Sequence, residues 1–205
     1  SSIFRVASLM SAANPPEANG NLEARAGVYE LLSRLWLYEV DAGLLVELTS
    51  GSLADGWEEL GGPSTEASQL DDLATEYCRL FVGPRDHVAP FQSVWQTGQH
   101  GSEAVSSMNE YLEMLSEPVE KLWEIPDHLG VQLLLMGVFL RCVAKTPASQ
   151  DLRDLTTTFF AEHLSWPDAM LTAAGEKSEL PFYRFLVEAT ADFLRGESLD
   201  FATPS

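Results

Sequence analysis

The sequence predicts an all-α fold, a single-domain bundle of about seven to nine helices round one core. Three observations carry that expectation. Apolar residues return at three- and four-residue spacing in one segment after another. No stretch alternates apolar and polar over a useful length, and no Asn-Gly or Asp-Gly pair joins two β-rich runs. The chain has 205 residues, 45% of them hydrophobic, enough for a sizeable core in one domain or at most two.

The elements follow in order. Residues 1–20 read as a flexible lead-in, because Asn14-Pro15-Pro16-Glu17-Ala18-Asn19-Gly20 is poor helix material. Met10 fits a natural start, with Ser1 to Leu9 left from cloning; mass spectrometry of the natively expressed protein checks this. A helical domain is expected over residues 21–196. Asn21 serves as N-cap for a helix striped by Leu22, Ala26, Tyr29, Leu32 and Trp36. Asp41 to Leu60 gives a shorter, broken helical stretch ended by Gly61-Gly62-Pro63. Ser64 or Thr65 starts a helix carrying Leu70, Leu73, Tyr77, Leu80 and Phe81, which Gly83-Pro84 must stop. Ser102 caps a helix to about Leu115, and Pro118 to Ile125 is a link. Pro126 fits the first turn of a long helix to about Lys145, where its missing N–H is no loss. That helix is apolar nearly all round and should be the central one. Ser149 or Asp151 starts the next, Trp166-Pro167 a short one, and Pro181 to Arg195 form the last. Residues 197–205 read as a flexible tail.

The formal net charge is −19 and the pI near 4.3. Nucleic acids and anionic membrane surfaces are poor partners for such a chain; cationic segments are good ones. Cys78 and Cys142 lack metal-type spacing and lie in apolar helical stretches, so buried reduced thiols are expected, as in the cytoplasm. The longest apolar run, Leu129 to Leu140, is too short to span a bilayer.

Motifs for chemistry are missing. None of the lysines (Lys121, Lys145, Lys177) follows a phosphate-cradling glycine pattern, no Gly-x-Ser-x-Gly elbow exists, and no paired Glu-x-x-His motifs suggest a di-iron centre. His87, His100, His128 and His163 are scattered. Asp127 and His128 are neighbours, about 100° apart on a helix, and do not chelate one metal. Taken alone, Asp127 reads as a first-turn carboxylate facing free N–H groups, His128 as a satisfied histidine, and Tyr77, Leu80 and Phe81 as core. What stands out is Arg85 to Trp95. A surface loop is normally polar, and one rich in aromatic and proline residues is packed down or awaits a partner.

Four segments, in order, resemble a known family. Tyr77-Cys78-Arg79-Leu80-Phe81-Val82-Gly83-Pro84 resembles the Tyr-x-Arg-Leu-Phe-x-Gly-Pro signature of the TorD/DmsD/NarJ chaperones. Pro90-Phe91-Gln92-Ser93-Val94-Trp95 is similar to that family's next loop, departing from it at Phe91-Gln92. Glu124-Ile125-Pro126-Asp127-His128-Leu129 resembles its Glu-x-Pro-Asp-His segment, and Phe159-Phe160-Ala161-Glu162-His163-Leu164 with Trp166 its C-terminal pattern. The likeness covers roughly Leu22 to Arg195.

The resemblance implies a TorD-like bundle and a cytoplasmic chaperone, not an enzyme. Such a chaperone would bind the twin-arginine signal peptide or N-terminal segment of a molybdopterin-dependent oxidoreductase, and hold the apoenzyme for cofactor insertion before export. The implied peptide-binding residues are Tyr77, Leu80, Phe81, Gly83, Pro84, Pro90, Ser93, Val94, Trp95, Asp127 and His128. No metal or permanent cofactor is expected; transient contact with the molybdopterin cofactor or a guanine nucleotide stays open. The protein would be a monomer or a helix-exchanged dimer. Physically, two guanidinium forks need carboxylates, here Asp127 and nearby acids, and the apolar stretch after them needs a greasy groove. The residues leave two other readings open: an acidic helical adaptor for another basic amphipathic segment, and a weak nucleotide hydrolase.

Overall fold

The computed structural model describes residues 15–51, 53–59, 61–114 and 124–202. Expectations for residues 1–14, Leu115, most of the 118–125 link and 203–205 lie outside them. Ten α-helices form, eight of them of seven residues or more, and no strand is present among the described residues. They are α1 (Pro15–Leu37), α2 (Ala42–Thr49), α3 (Ala54–Glu59), α4 (Leu70–Tyr77), α5 (Gln92–Thr97), α6 (Glu103–Glu113), α7 (Leu129–Lys145), α8 (Gln150–His163), α9 (Asp168–Lys177) and α10 (Pro181–Ala202).

The central helix is α7, as its composition predicts. Twelve of its 17 residues are buried. α1 lies antiparallel along it, at glycine distance: a Cβ on Gly130 would stand 2.5 Å from Leu37 Cγ, and one on Gly137 3.2 Å from the Ala26 carbonyl oxygen. The Ser33 hydroxyl donates to the Gly130 carbonyl at 2.7 Å. At the other end the Arg141 guanidinium grips Glu30 with two donors, at 2.6 and 2.8 Å, and also meets Glu23. A fork on a carboxylate fixes direction as well as distance. On α1's other side stands α10. Trp36 Nε1 donates to Thr190 Oγ1 at 3.0 Å, and Arg25 and Tyr29 both donate to Glu197.

Several boundaries differ from the sequence expectation, each for a visible reason. α1 begins at Pro15 rather than Leu22, so Asn21 lies inside it and is not its N-cap. Proline suits a helix's opening turn, and Asn19-Gly20 is tolerated within a helix clamped along its length. α10 continues past Gly196 to Ala202, because Glu197 is buried against Arg25 and Tyr29 and Phe201 stacks on Phe160 at 4.8 Å. The helix after Pro63 starts later than Ser64, as a 3-10 turn at Ala67–Gln69 with a Glu66–Gln69 capping box. α7 starts at Leu129, so Pro126 and Asp127 precede it; its N-cap is His128, whose Nδ1 accepts from the Gly130 N–H at 3.0 Å. Neither cysteine is buried as expected: Cys78 is exposed and Cys142 half-buried. The reason for Cys78 is local. α4 gives way to a π-turn, Cys78–Val82, closed by the Gly83 N–H on the Cys78 carbonyl at 2.6 Å, and the wider turn shifts the face each residue presents.

Candidate functional site

The two segments that the sequence singles out meet. Gly83 to Pro90 leaves the π-turn, turns back and reaches the residues just before α7. The Val88 N–H donates to the Leu80 carbonyl at 2.7 Å, the Leu129 N–H to the Pro90 carbonyl at 2.8 Å, and the Gln92 N–H to the Asp127 carbonyl at 3.0 Å. Phe91 and His128 form an isolated antiparallel bridge. Lys177 Nζ donates to the Asp86 carbonyl at 2.6 Å, where Asp86 holds a left-handed φ of 55°. Aspartate tolerates that conformation better than most residues. The backbone of this aromatic, proline-rich stretch is therefore tied down at several points.

Most of the expected site residues face inward. Tyr77, Leu80 and Phe81 pack with Trp36 and Tyr183, and the Tyr77 hydroxyl donates to the Trp36 carbonyl at 3.1 Å. Burial pushes the Tyr77 hydroxyl up to about 12. Pro90, Ser93, Asp127 and His128 are buried as well. Asp127 is only 3% exposed. Its carboxylate accepts the Ser93 N–H at 2.8 Å. It thus faces the start of α5, not the first turn of the helix that follows it in sequence. Burial pushes the His128 ring down to about 4, against the opposing pull of Asp127. Since its Nδ1 is an acceptor, the proton sits on Nε2. The Phe91 ring is half-buried, edge-on between His100 and His128 with centroids 4.9 and 5.1 Å away.

What remains outside is smaller and apolar. Trp95 is 37% exposed, Pro84 is exposed, and Gly83 and Val94 are half-buried. Trp95 is fixed by its Nε1 donating to the Ala89 carbonyl at 2.7 Å. Val82, at the end of the π-turn, is 64% exposed and was not singled out by the sequence reading. An exposed valine inside a helical apolar run gives no sequence signal; only the π-turn turns it outward. Glu124, just ahead of the Pro126-Asp127 pair, and Glu162, whose carbonyl accepts a hydrogen bond from Gln92 Nε2 at 2.7 Å, are exposed acids of the same neighbourhood.

Behind α5 lies a buried polar cluster that the sequence reading also missed. Gln92 Oε1 accepts from Gln132 Nε2 at 2.6 Å and from His163 Nδ1 at 2.9 Å. Gln132 Oε1 accepts from Trp166 Nε1 at 2.8 Å, and His163 Nε2 lies 3.0 Å from Ser107 Oγ. Burial pushes His163 down to about 4, opposed by Glu162 and Asp127. The signal available was Gln132, a lone amide in the longest apolar run. Separately, the buried Glu76 carboxylate accepts the Glu179 and Leu180 N–H groups, at 2.6 and 2.8 Å, and so caps the approach to α10.

Among the described residues no group of three or more His, Cys, Asp or Glu is placed to hold a metal ion, and no helix is long and apolar enough to cross a membrane. A helical bundle that fixes a loop rigidly while turning apolar side chains to water has the build of a protein-binding module.

The comparisons with known proteins agree with that class. The nitrate reductase delta subunit family matches residues 45–171. Chaperone protein TorD of Shewanella oneidensis is 33% identical, the match covering 64% of this chain and 70% of the relative. Chaperone protein TorD of Shewanella pealeana is 24% identical over 89% of this chain and 91% of its own, and chaperone protein YcdY of Escherichia coli 28% over 79% and 87%. No solved structure matches. The chain belongs to the nitrate reductase delta subunit family, the TorD/DmsD/NarJ group of molybdoenzyme maturation chaperones. That family and these relatives are chaperones, not enzymes.

Proposed function

We propose that this chaperone works in the cytoplasm, where it binds the twin-arginine leader or N-terminal segment of a molybdopterin-dependent oxidoreductase and holds the apoenzyme until its cofactor is inserted. The observation that carries this reading is the Gly83–Trp95 stretch. Its backbone is tied to the core at several points, yet Pro84 and Trp95, with Val82 just ahead of the stretch, stay in water. A surface already rigid loses little entropy on binding an apolar segment. The net charge of −19 favours a leader that carries two arginines ahead of its apolar stretch.

Within the site the roles divide. Val82, Gly83, Pro84, Val94 and Trp95 touch the apolar part of the peptide. Tyr77, Leu80, Phe81, Pro90, Ser93, Asp127 and His128 act from behind, holding that surface in place. Glu124 and Glu162 are the carboxylates open to the arginines, and Asp127 contributes by anchoring Ser93. Any contact with the molybdopterin cofactor or a guanine nucleotide is transient.

Titration with a synthetic twin-arginine leader peptide at two salt concentrations tests this assignment. Trp95→Ala should weaken binding roughly tenfold. Glu124→Gln with Glu162→Gln should weaken it and flatten its salt dependence. Asp127→Asn keeps an acceptor for the Ser93 N–H and should leave affinity nearly unchanged. A folded Asp127→Asn protein that no longer binds, beside a Trp95→Ala protein that does, refutes the division of roles. Failure of the unaltered protein to bind any such leader refutes the function.

A further inference from the structure

We propose that Gln92 is the positioning residue of the binding surface: among the side chains of α5 it is the one whose polar group docks the helix on the core, and through α5 it places the exposed indole of Trp95. This rests on the proposed function for its biological meaning, though its physical content stands apart from it.

α5 is six residues long, and the side chains it buries are those of Gln92 and Ser93. Neither is apolar. A short helix has almost no stability of its own and is normally pinned by an apolar face packed on the core. α5 lacks one, and serine is too small to serve. The Asp127 carboxylate holds its backbone at the Ser93 N–H, and the anchor that α5 itself supplies is the Gln92 amide, which reaches two other helices. Its orientation is dictated. The Glu162 carbonyl can only accept, so Nε2 must face it, at 2.7 Å. Oε1 then faces Gln132 Nε2 and His163 Nδ1. Gln132 is itself oriented by Trp166 Nε1, which can only donate. A leucine-lined seat would bury area in many near-equivalent poses. Three directional bonds in a dry site select one pose, because any other leaves a buried donor or acceptor unmet. Trp95 lies three positions on, within one turn of α5, so Gln92 sets the position from which its indole reaches the Ala89 carbonyl.

The test uses Gln92→Met, unbranched and of similar size, which removes all three bonds. A control, Leu140→Ala in the core of α7, loses stability away from α5. Two quantities are read: affinity for the synthetic leader peptide, and the indole N–H resonance of Trp95, assigned by its loss in Trp95→Phe. Gln92→Met should bind roughly tenfold more weakly. Its Trp95 signal should move while those of Trp36, bonded to Thr190, and Trp57, bonded to the Pro63 carbonyl, stay in place. Leu140→Ala should do neither. An unmoved Trp95 signal, unchanged affinity in Gln92→Met, or an equal loss of affinity in Leu140→Ala overturns the proposal. If the unaltered protein does not bind the peptide, the proposed function fails, and the Trp95 signal alone decides the role of Gln92. If Gln92→Met does not fold, Gln92→Glu replaces it under the same criteria; it keeps the acceptors and loses the N–H to Glu162.

Discussion

At His128 three separate demands fall on one ring. It caps α7 through Nδ1, packs edge-on against Phe91, and sits out of water beside Asp127. Only the neutral imidazole meets them, since protonated histidine has no acceptor with which to cap. The sign of the pH effect follows. An unfolded chain takes up the proton near 6.5, whereas the folded protein resists until about 4. The stability due to the neutral ring is complete above 6.5 and is lost as pH falls from there through about 4. One such group accounts for about 3 kcal/mol over that window, and His163 behaves alike. His128→Asn keeps a capping acceptor but cannot titrate. Urea unfolding at a series of pH values should show its loss between pH 6.5 and 4 reduced by about 3 kcal/mol. An acid limb as steep as that of the unaltered protein would contradict this. The same residue marks how far sequence reaches. Asp127-His128 stands out in the sequence as a helix start, a first-turn carboxylate beside a satisfied histidine. That the carboxylate turns away to the Ser93 N–H depends on a partner far off in the chain, which no local pattern encodes.

Among the elements, α1 and α7 form the frame on which the site hangs. Their close contact depends on glycines used in one orientation only. Gly130→Val would drive side-chain atoms into Leu37 and should cost about 1–3 kcal/mol. Gly196, inside α10, has nothing within 4 Å of where a Cβ would stand. Gly196→Ala should therefore raise stability by up to about 1 kcal/mol through helix propensity alone. Melting and urea curves of the two variants check the pair; a neutral Gly130→Val would mean that α1 and α7 do not approach as described. Helix identity was legible from apolar spacing, most clearly for α7, where nearly every face is apolar. Helix ends were less so. Asn19-Gly20 and Gly196 look like breaks, but Arg25, Tyr29 and Glu197 join α1 to α10 and carry both helices through them. The π-turn at Cys78–Val82 was likewise hidden: Tyr77, Leu80 and Phe81 keep helical spacing across it, and only Val82 and Cys78 reveal it by their exposure.

For the whole molecule the dominant long-range term is charge. Thirty-one acidic residues against 12 lysines and arginines repel one another in the folded state. Raising sodium chloride from about 0.01 to 0.15 M shortens the screening length from about 30 to 8 Å, and the urea midpoint should rise. A midpoint that falls with salt would show instead that surface ion pairs outweigh the repulsion. By itself the sequence determined the fold class, the central place of α7 and the acidic composition, because these follow from composition and from periodicity within each segment, and it singled out the two segments that meet at the candidate site. The tertiary structure alone decided which of those residues face water. Tyr77, Leu80 and Phe81 went inside, as their spacing reads, but the burial of Asp127 and the exposure of Val82 and Trp95 are set by what packs opposite, and those neighbours come from distant parts of the chain.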